Sequence, residues 1–151
     1  MTAASGLVLL DTNILIHLLR ATALGARAAS EHALRSRSER SLLSIVTVGE
    51  ALAFARKRGW GTSKVTALRE LIQQLVIVDI HSNEVLEHYA ALDAFREARG
   101  RALGKNDLWI SATAAATGAL LLTTDKDFDP LHQEGLLRRA WYDPAPSPRN
   151  L

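Results

Sequence analysis

"LVLLDTNIL", residues 7–15, runs four apolar residues into Asp11 and then, through Thr12 and Asn13, into a second apolar run. An aliphatic stretch this short and continuous reads as a strand buried on both faces, the pattern of a parallel sheet. Asp11 ends it. A carboxylate is costly to bury without a partner, so its position asks for a reason. One reason is local: Asp11 caps the helix that follows. The other is that Asp11 is one of several carboxylates gathered to hold a metal.

Four further runs read as strands: "SLLSIV" (41–46), "VIV" (76–78), "ALLLT" (119–123) and "RRAWY" (138–142). Helical spacing lies between them. Val65, Leu68, Leu71, Ile72 and Leu75 recur on one helix face, as do Val85, Tyr89, Leu92 and Phe95. Residues 12–20 and 47–58 are two more candidate helices, and 107–117 is apolar almost all round, which places it in the middle of the fold. Two helices between the first and second strands (about 12–38), and two between the second and third, give a β-αα-β-αα-β rhythm. That rhythm predicts a three-layer α/β domain with right-handed crossovers. A single domain is expected over 1–142, followed by a Pro-rich tail, "DPAPSPRNL" (143–151), expected frayed or extended.

The composition agrees. With 151 residues, 48% apolar and 23% charged, the chain suits a soluble globular domain with one sizeable core. "LWISATAAATGALLL" is broken by Gly118 and too short to span a bilayer, so no membrane association is expected. "MTAASG" lacks the basic segment and apolar run of a secretory signal, and a chain without cysteine fits a cytoplasmic location. The absence of cysteine also excludes thiolate metal sites. The basic side holds 14 Arg against 4 Lys, clustered at 35–40, 56–58 and 96–101. Such runs are solvated helix faces unless a phosphate ligand claims them, and Arg56, Lys57 and Arg58 read as complementing a helix C-terminus.

Four acids recur where strands give way to helices. Asp11 follows the first strand, Glu50 sits in the first turn after the second, Asp107 opens the apolar helix, and Asp125 follows the fourth strand. In a parallel sheet these junctions emerge at the carboxyl edge, where open α/β sheets bind ligands. Each acid also has a local reading: Asp11 as an N-cap, Glu50 in a capping box with Thr47, Asp107 beside a cap at Asn106, and "TDKDFD" as an exposed turn. Gathered together, four like charges repel by roughly 1 to 4 kcal/mol per pair, which a cation must offset. An all-carboxylate set suits hard ions such as Mg²⁺ or Mn²⁺.

"LLDTNIL", "SIVTVGEALA", "KNDLWISATA" and "LLTTDKDF", in this order and at these separations, resemble the PIN-domain ribonucleases, in particular the VapC-type toxins of bacterial toxin–antitoxin pairs. The resemblance covers about residues 6–142. It implies a Rossmann-like parallel sheet of about five strands in the order 3-2-1-4-5, with Asp11, Glu50, Asp107 and Asp125 as catalytic metal ligands for Mg²⁺ or Mn²⁺. Asp127 shares or replaces the role of Asp125 in the same pattern, and Thr12, Asn13, Ser44, Thr47 and Thr124 match the family's small polar companions. The implied activity is metal-dependent hydrolysis of RNA phosphodiester bonds by an endoribonuclease. The implied partners are RNA, a cognate antitoxin protein and a second copy in a homodimer. The rival reading is an RNA-binding module of the same fold without turnover. With aromatics at only 5%, no stacking platform is expected at the site, and Trp109 reads as core.

Overall fold

The computed structural model describes residues 6–144. The Pro-rich tail expected over 143–151 therefore lies, from residue 145 onward, outside the described residues. The elements run β1 (Val8–Leu10), α1 (Thr12–Arg20), α2 (Ala23–Glu31), β2 (Leu42–Ser44), α3 (Ile45–Lys57), α4 (Thr62–Gln73), β3 (Val76–Val78), α5 (Asn83–Ala98), α6 (Lys105–Thr117), β4 (Leu120–Thr123), one turn of 3-10 helix (Lys126–Phe128), α7 (Asp129–Gln133) and β5 (Arg138–Trp141). The five strands pair in the order β3-β2-β1-β4-β5, all parallel. This is the three-layer sheet and the strand order expected from the sequence.

The continuous aliphatic runs split by their period of two. Leu9, Leu42 and Leu121 face one side and join Val85, Leu92, Leu108 and Ile110 beneath α5 and α6. Val8, Leu10, Leu43 and Leu122 face the other side and join Ile14, Leu15, Ala51, Ala55 and Leu68 from α1, α3 and α4. Each such leucine or isoleucine contributes roughly 1.5–3 kcal/mol by leaving water, so the two core layers hold helices on both faces of the sheet. α6 is buried at Leu108 and from Ile110 through Ala114, as its apolar character predicts.

Two local expectations are corrected. β3 is an edge strand, and Val76 and Ile77 are 37% and 45% exposed rather than buried on both faces. The second strand stops at Ser44, whose hydroxyl accepts from the Val46 N–H and starts α3 two residues before the expected position. Helix junctions elsewhere follow from sequence. α6 ends at Gly118, whose φ of +69° a glycine adopts without a Cβ clash. Gly25 lets α2 touch the end of α1, where an added Cβ would lie 2.4 Å from the His17 carbonyl oxygen.

The strand order reverses at β1, with β2 on one side and β4 on the other. Open α/β sheets offer their ligand crevice outside the carboxyl ends of the strands at such a switch point.

Candidate metal centre

Asp11 stands at that crevice because the ladder continues one residue beyond β1: its N–H donates to the Leu122 carbonyl at 3.0 Å. Only 5% of the residue is exposed. Its Oδ1 accepts from the Thr12 N–H at 2.8 Å, and its Oδ2 accepts from the Thr123 hydroxyl at 2.7 Å. Asp11 is thus both a helix cap and a member of the cluster, and the two readings of the sequence are compatible. Burial pushes its carboxyl up to about 6, against the pull of the Thr123 and Thr12 hydrogen bonds, and the nearby charges of Glu50 and Asp125 push the same way.

Glu50 reaches the crevice from α3. Because α3 begins at Ile45, Glu50 lies in its second turn, and the expected capping box with Thr47 does not form. Its Oε1 instead accepts from the Thr12 hydroxyl at 2.6 Å and its Oε2 from the Asn106 amide at 3.1 Å. Asn106 does not cap α6; Gly104 holds that position, and the Asn106 side chain fixes Glu50 across the crevice.

Asp107 projects from the first turn of α6, and its carboxylate accepts no hydrogen bond from the described residues. Its carboxyl is pushed up to about 7, first by burial and then by the charges of Asp11, Asp125, Glu50 and Asp127. Asp125 follows β4; its N–H donates to the Thr123 hydroxyl at 3.0 Å, and its Oδ1 accepts from the Asp127 N–H at 2.8 Å. Oxygens of Asp107, Asp125 and Asp127 lie within 4.8 Å of one another, a spacing that can hold an ion. Asp127 is the most exposed of these three, and its carboxyl is also raised, by burial and by Asp125.

The donor set fits a hard divalent cation. Every candidate ligand is a carboxylate oxygen, and none of the five acids forms an ion pair with a Lys, Arg or His among the described residues. The raised pKa values of Asp11 and Asp107 come first from burial and then from the neighbouring acids.

Among the small polar companions, Thr12 holds Glu50, and Asn13 donates to the Thr124 hydroxyl at 3.2 Å. Ser44 caps α3, and Thr47 is buried with its hydroxyl 3.4 Å from that of Thr12. Sequence reasoning missed Thr123, the buried hydroxyl that ties Asp11 to the backbone of Asp125. A threonine inside a β-strand carries no signal of its own. Trp141 also serves the site, donating its indole N–H to the Thr124 carbonyl at 3.0 Å. His17 belongs to helix packing, with Nδ1 2.8 Å from the Thr22 hydroxyl.

The arginines at 35, 37 and 40 do not ring the acids. Arg35, Arg37 and Arg40 line a pocket of about 470 Å³ with Ser41 and Leu75, residues that precede β2 and β3 at the opposite edge of the sheet. Of Arg56, Lys57 and Arg58, Lys57 lines a groove beside Glu50, and Arg58 lies over the Phe54 ring, 4.9 Å from its centroid.

A parallel sheet ordered 3-2-1-4-5 with carboxylates at its switch point defines a class, and the chain belongs to it: it is a member of the PIN domain family, whose model matches residues 8–132. Ribonuclease VapC1 of Haemophilus influenzae (strain R2866) is 28% identical over 117 residues, covering 76% of this chain and 84% of that protein. Ribonuclease VapC2 of Haemophilus influenzae (strain ATCC 51907 / DSM 11121 / KW20 / Rd) is 23% identical over 117 residues, covering 78% and 85%. The fold is similar to that of VapBC2 from Rickettsia felis bound to a DNA fragment from their promoter. That likeness has a TM-score of 0.77 at 22% identity and covers 91% of this chain and 99% of that one.

Proposed function

We propose that this chain is a divalent-metal-dependent endoribonuclease and the toxin of a toxin–antitoxin pair. Asp11, Glu50, Asp107 and Asp125 form its acidic set, and Asp127 adjoins it. The observation that carries the reading is the unneutralised cluster at the switch point, where Asp107 is raised to about 7 by burial and by four other acids. Relatives named ribonuclease VapC1 and VapC2 support the activity, and the VapBC likeness supports an antitoxin partner. No helix among the described residues is long and apolar enough to cross a membrane. Action in the cytoplasm, where RNA is met, belongs to the same proposal, as does a homodimer.

Asp107 and Asp125, with Asp127 beside them, would hold a Mg²⁺ or Mn²⁺ ion, and Asp11 and Glu50 complete the acidic wall. Such an ion supplies Lewis-acid polarisation of the phosphodiester and a lowered pKa for water. The chain's own part is to orient. The Thr123 hydroxyl and the Thr12 N–H fix the Asp11 carboxylate from two directions, and the Thr12 hydroxyl and Asn106 amide do the same for Glu50. No side chain is required as a covalent nucleophile; with water as the nucleophile and the 3′ oxygen as the leaving group, the products would carry 5′-phosphate and 3′-hydroxyl ends.

The test is cleavage of single-stranded RNA by the purified chain with Mg²⁺ or Mn²⁺, against EDTA and against Asp11→Asn. Cutting that needs the ion and is lost in the variant supports the proposal. Cutting that survives both EDTA and Asp11→Asn overturns it. An intact chain that binds RNA and never cuts it selects the rival binding module. Sequencing RNA fragment ends after brief expression identifies the target.

A further inference from the structure

A groove of about 610 Å³ opens directly beside Glu50, between α3, α6 and the loop after β3. Its size falls inside the roughly 300–1,000 Å³ of small-ligand sites. One wall is a single face of α3 carrying Val46, Gly49, Glu50, Ala53 and Lys57; the opposite wall is Ile80, Asn106 and Trp109. The α3 wall is low because its residues are small, and a Cβ added at Gly49 would meet nothing within 4 Å.

Trp109 is not closed into the core. It stacks on Tyr89, with ring centroids 3.9 Å apart and planes inclined by 26°, and lines the groove while remaining half-buried. An indole backed by a second ring is a rigid platform. The groove thus combines an aromatic surface, an apolar wall at Ile80, an ammonium at Lys57 and an end that opens on Glu50. Flat aromatic surface with a neighbouring cation is how proteins hold single-stranded nucleic acid without reading its sequence.

We infer that this groove is a nucleobase subsite: it takes the base of a nucleotide flanking the cut bond in single-stranded RNA, stacked along Trp109 with Lys57 near its phosphate. The inference rests on the ribonuclease reading and adds the strand's path. RNA enters along the face of α3 past Lys57 rather than over Arg35, Arg37 and Arg40, and paired RNA, whose bases are stacked on one another, is a poor substrate.

The test uses the full chain labelled with 5-fluorotryptophan, an unstructured RNA 12-mer and EDTA, so that nothing is cut. Trp60, Trp109 and Trp141 give three ¹⁹F resonances, assigned by single Trp→Phe variants. The Trp109 resonance shifts on adding RNA and that of Trp60 does not. Trp109→Leu weakens RNA binding by about 5- to 150-fold, the loss of one stacked base. Gly49→Leu fills the groove and weakens binding as much, while its melting temperature stays level or rises because leucine replaces glycine inside a helix. RNA binding at parental affinity in both variants, with the Trp109 resonance unmoved, overturns the subsite and leaves the nuclease reading intact. Failure of the parent chain to bind or cut any RNA overturns both. If Gly49→Leu instead turns a dimer into a monomer without changing RNA affinity, the groove belongs to a second copy and the subsite is wrong.

Discussion

Replacing Asp11 with asparagine separates what this carboxylate does for the fold from what it does for the site. The substitution Asp11→Asn keeps the shape and removes the charge. Burial holds the Asp11 carboxyl at about 6 against an ordinary 3.8. Between those values the folded chain keeps a proton that the unfolded chain has released, so stability falls as pH rises through this window. Above it, the ionised carboxylate costs the cation-free fold about 3 kcal/mol. That figure is a ceiling on what the amide can recover. The Thr123 hydroxyl, which donates to Oδ2 at 2.7 Å, must find another acceptor once an NH₂ group occupies that position, at a cost of about 1 kcal/mol. The expected gain is about 1–2 kcal/mol, or about 2–8 °C in Tm for a chain of this length. Calorimetry in EDTA measures it: the variant melts above the parent at pH 8, and the advantage disappears at pH 4.5. Magnesium then raises the parent's Tm and leaves the variant's nearly unchanged. A variant that is less stable than the parent at pH 8 in EDTA would refute the reasoning, because Asp11 would then be a structural cap alone. An equal response of both proteins to magnesium would remove Asp11 from the metal centre.

Four other outcomes follow from the same geometry. Asp107→Asn and Asp125→Asn each lower kcat on RNA by about 100-fold or more at saturating Mg²⁺, and Asp127→Asn by clearly less. If Asp127→Asn is as damaging as Asp125→Asn in single-turnover assays, Asp127 holds the role assigned to its neighbour. Because a bound cation must displace protons from Asp107, raised to about 7, and Asp11, raised to about 6, apparent Mg²⁺ affinity rises with pH across that range and binding releases protons. Titration calorimetry in buffers of different ionisation heat measures that release; a buffer-independent heat at pH 6.5 rejects it. Thr123→Val removes the Asp11 partner without emptying the strand, and it lowers metal affinity or kcat by about 10- to 100-fold, while circular dichroism stays native. Gly25→Ala sets a methyl 2.4 Å from the His17 carbonyl oxygen and destabilises the chain by about 1–3 kcal/mol in urea unfolding, with the activity of the folded fraction retained.

What the sequence disclosed and what it hid have physical causes. A central parallel strand needs no polar face, so "LVLL" and "ALLLT" announce themselves as aliphatic runs. "VIV" makes the same announcement from the edge of the sheet, where Ile77 is 45% exposed, because a run of apolar residues reports strand character and not its number of neighbours. The β-branched residues Ile45 and Val46 extend the second run by local preference, yet Ser44 caps a helix there and packing overrides the weak propensity. Asp11, Asp107 and Asp125 were legible because each follows a strand or opens a helix, whereas Glu50 lies one turn inside α3. Thr123 and Asn106 were not, because their roles depend on partners 112 and 56 residues away. Trp109 packs against the core as expected and also lines the groove, which stayed hidden because in a helix apolar all round periodicity cannot tell which side meets an opening.

The layers of the fold divide the site between them. The β1–β4 ladder sets Asp11 and, through Thr123, Asp125. Glu50 arrives on α3, whose Ala51 and Ala55 pack in the core layer of Leu10 and Leu122. Asp107 arrives on α6, whose Leu108 and Ile110 pack in the opposite layer with Leu9 and Leu121. The Asn106–Glu50 hydrogen bond joins the two helices over the sheet's edge. Neither layer alone assembles the acidic set, so on the proposed reading an unfolded or half-packed chain would have little affinity for a divalent ion. Binding free energy therefore appears as folding free energy. Burial and mutual repulsion of the acids make the cation-free chain the less stable form, and on the proposed reading a divalent ion bound among them would offset that cost.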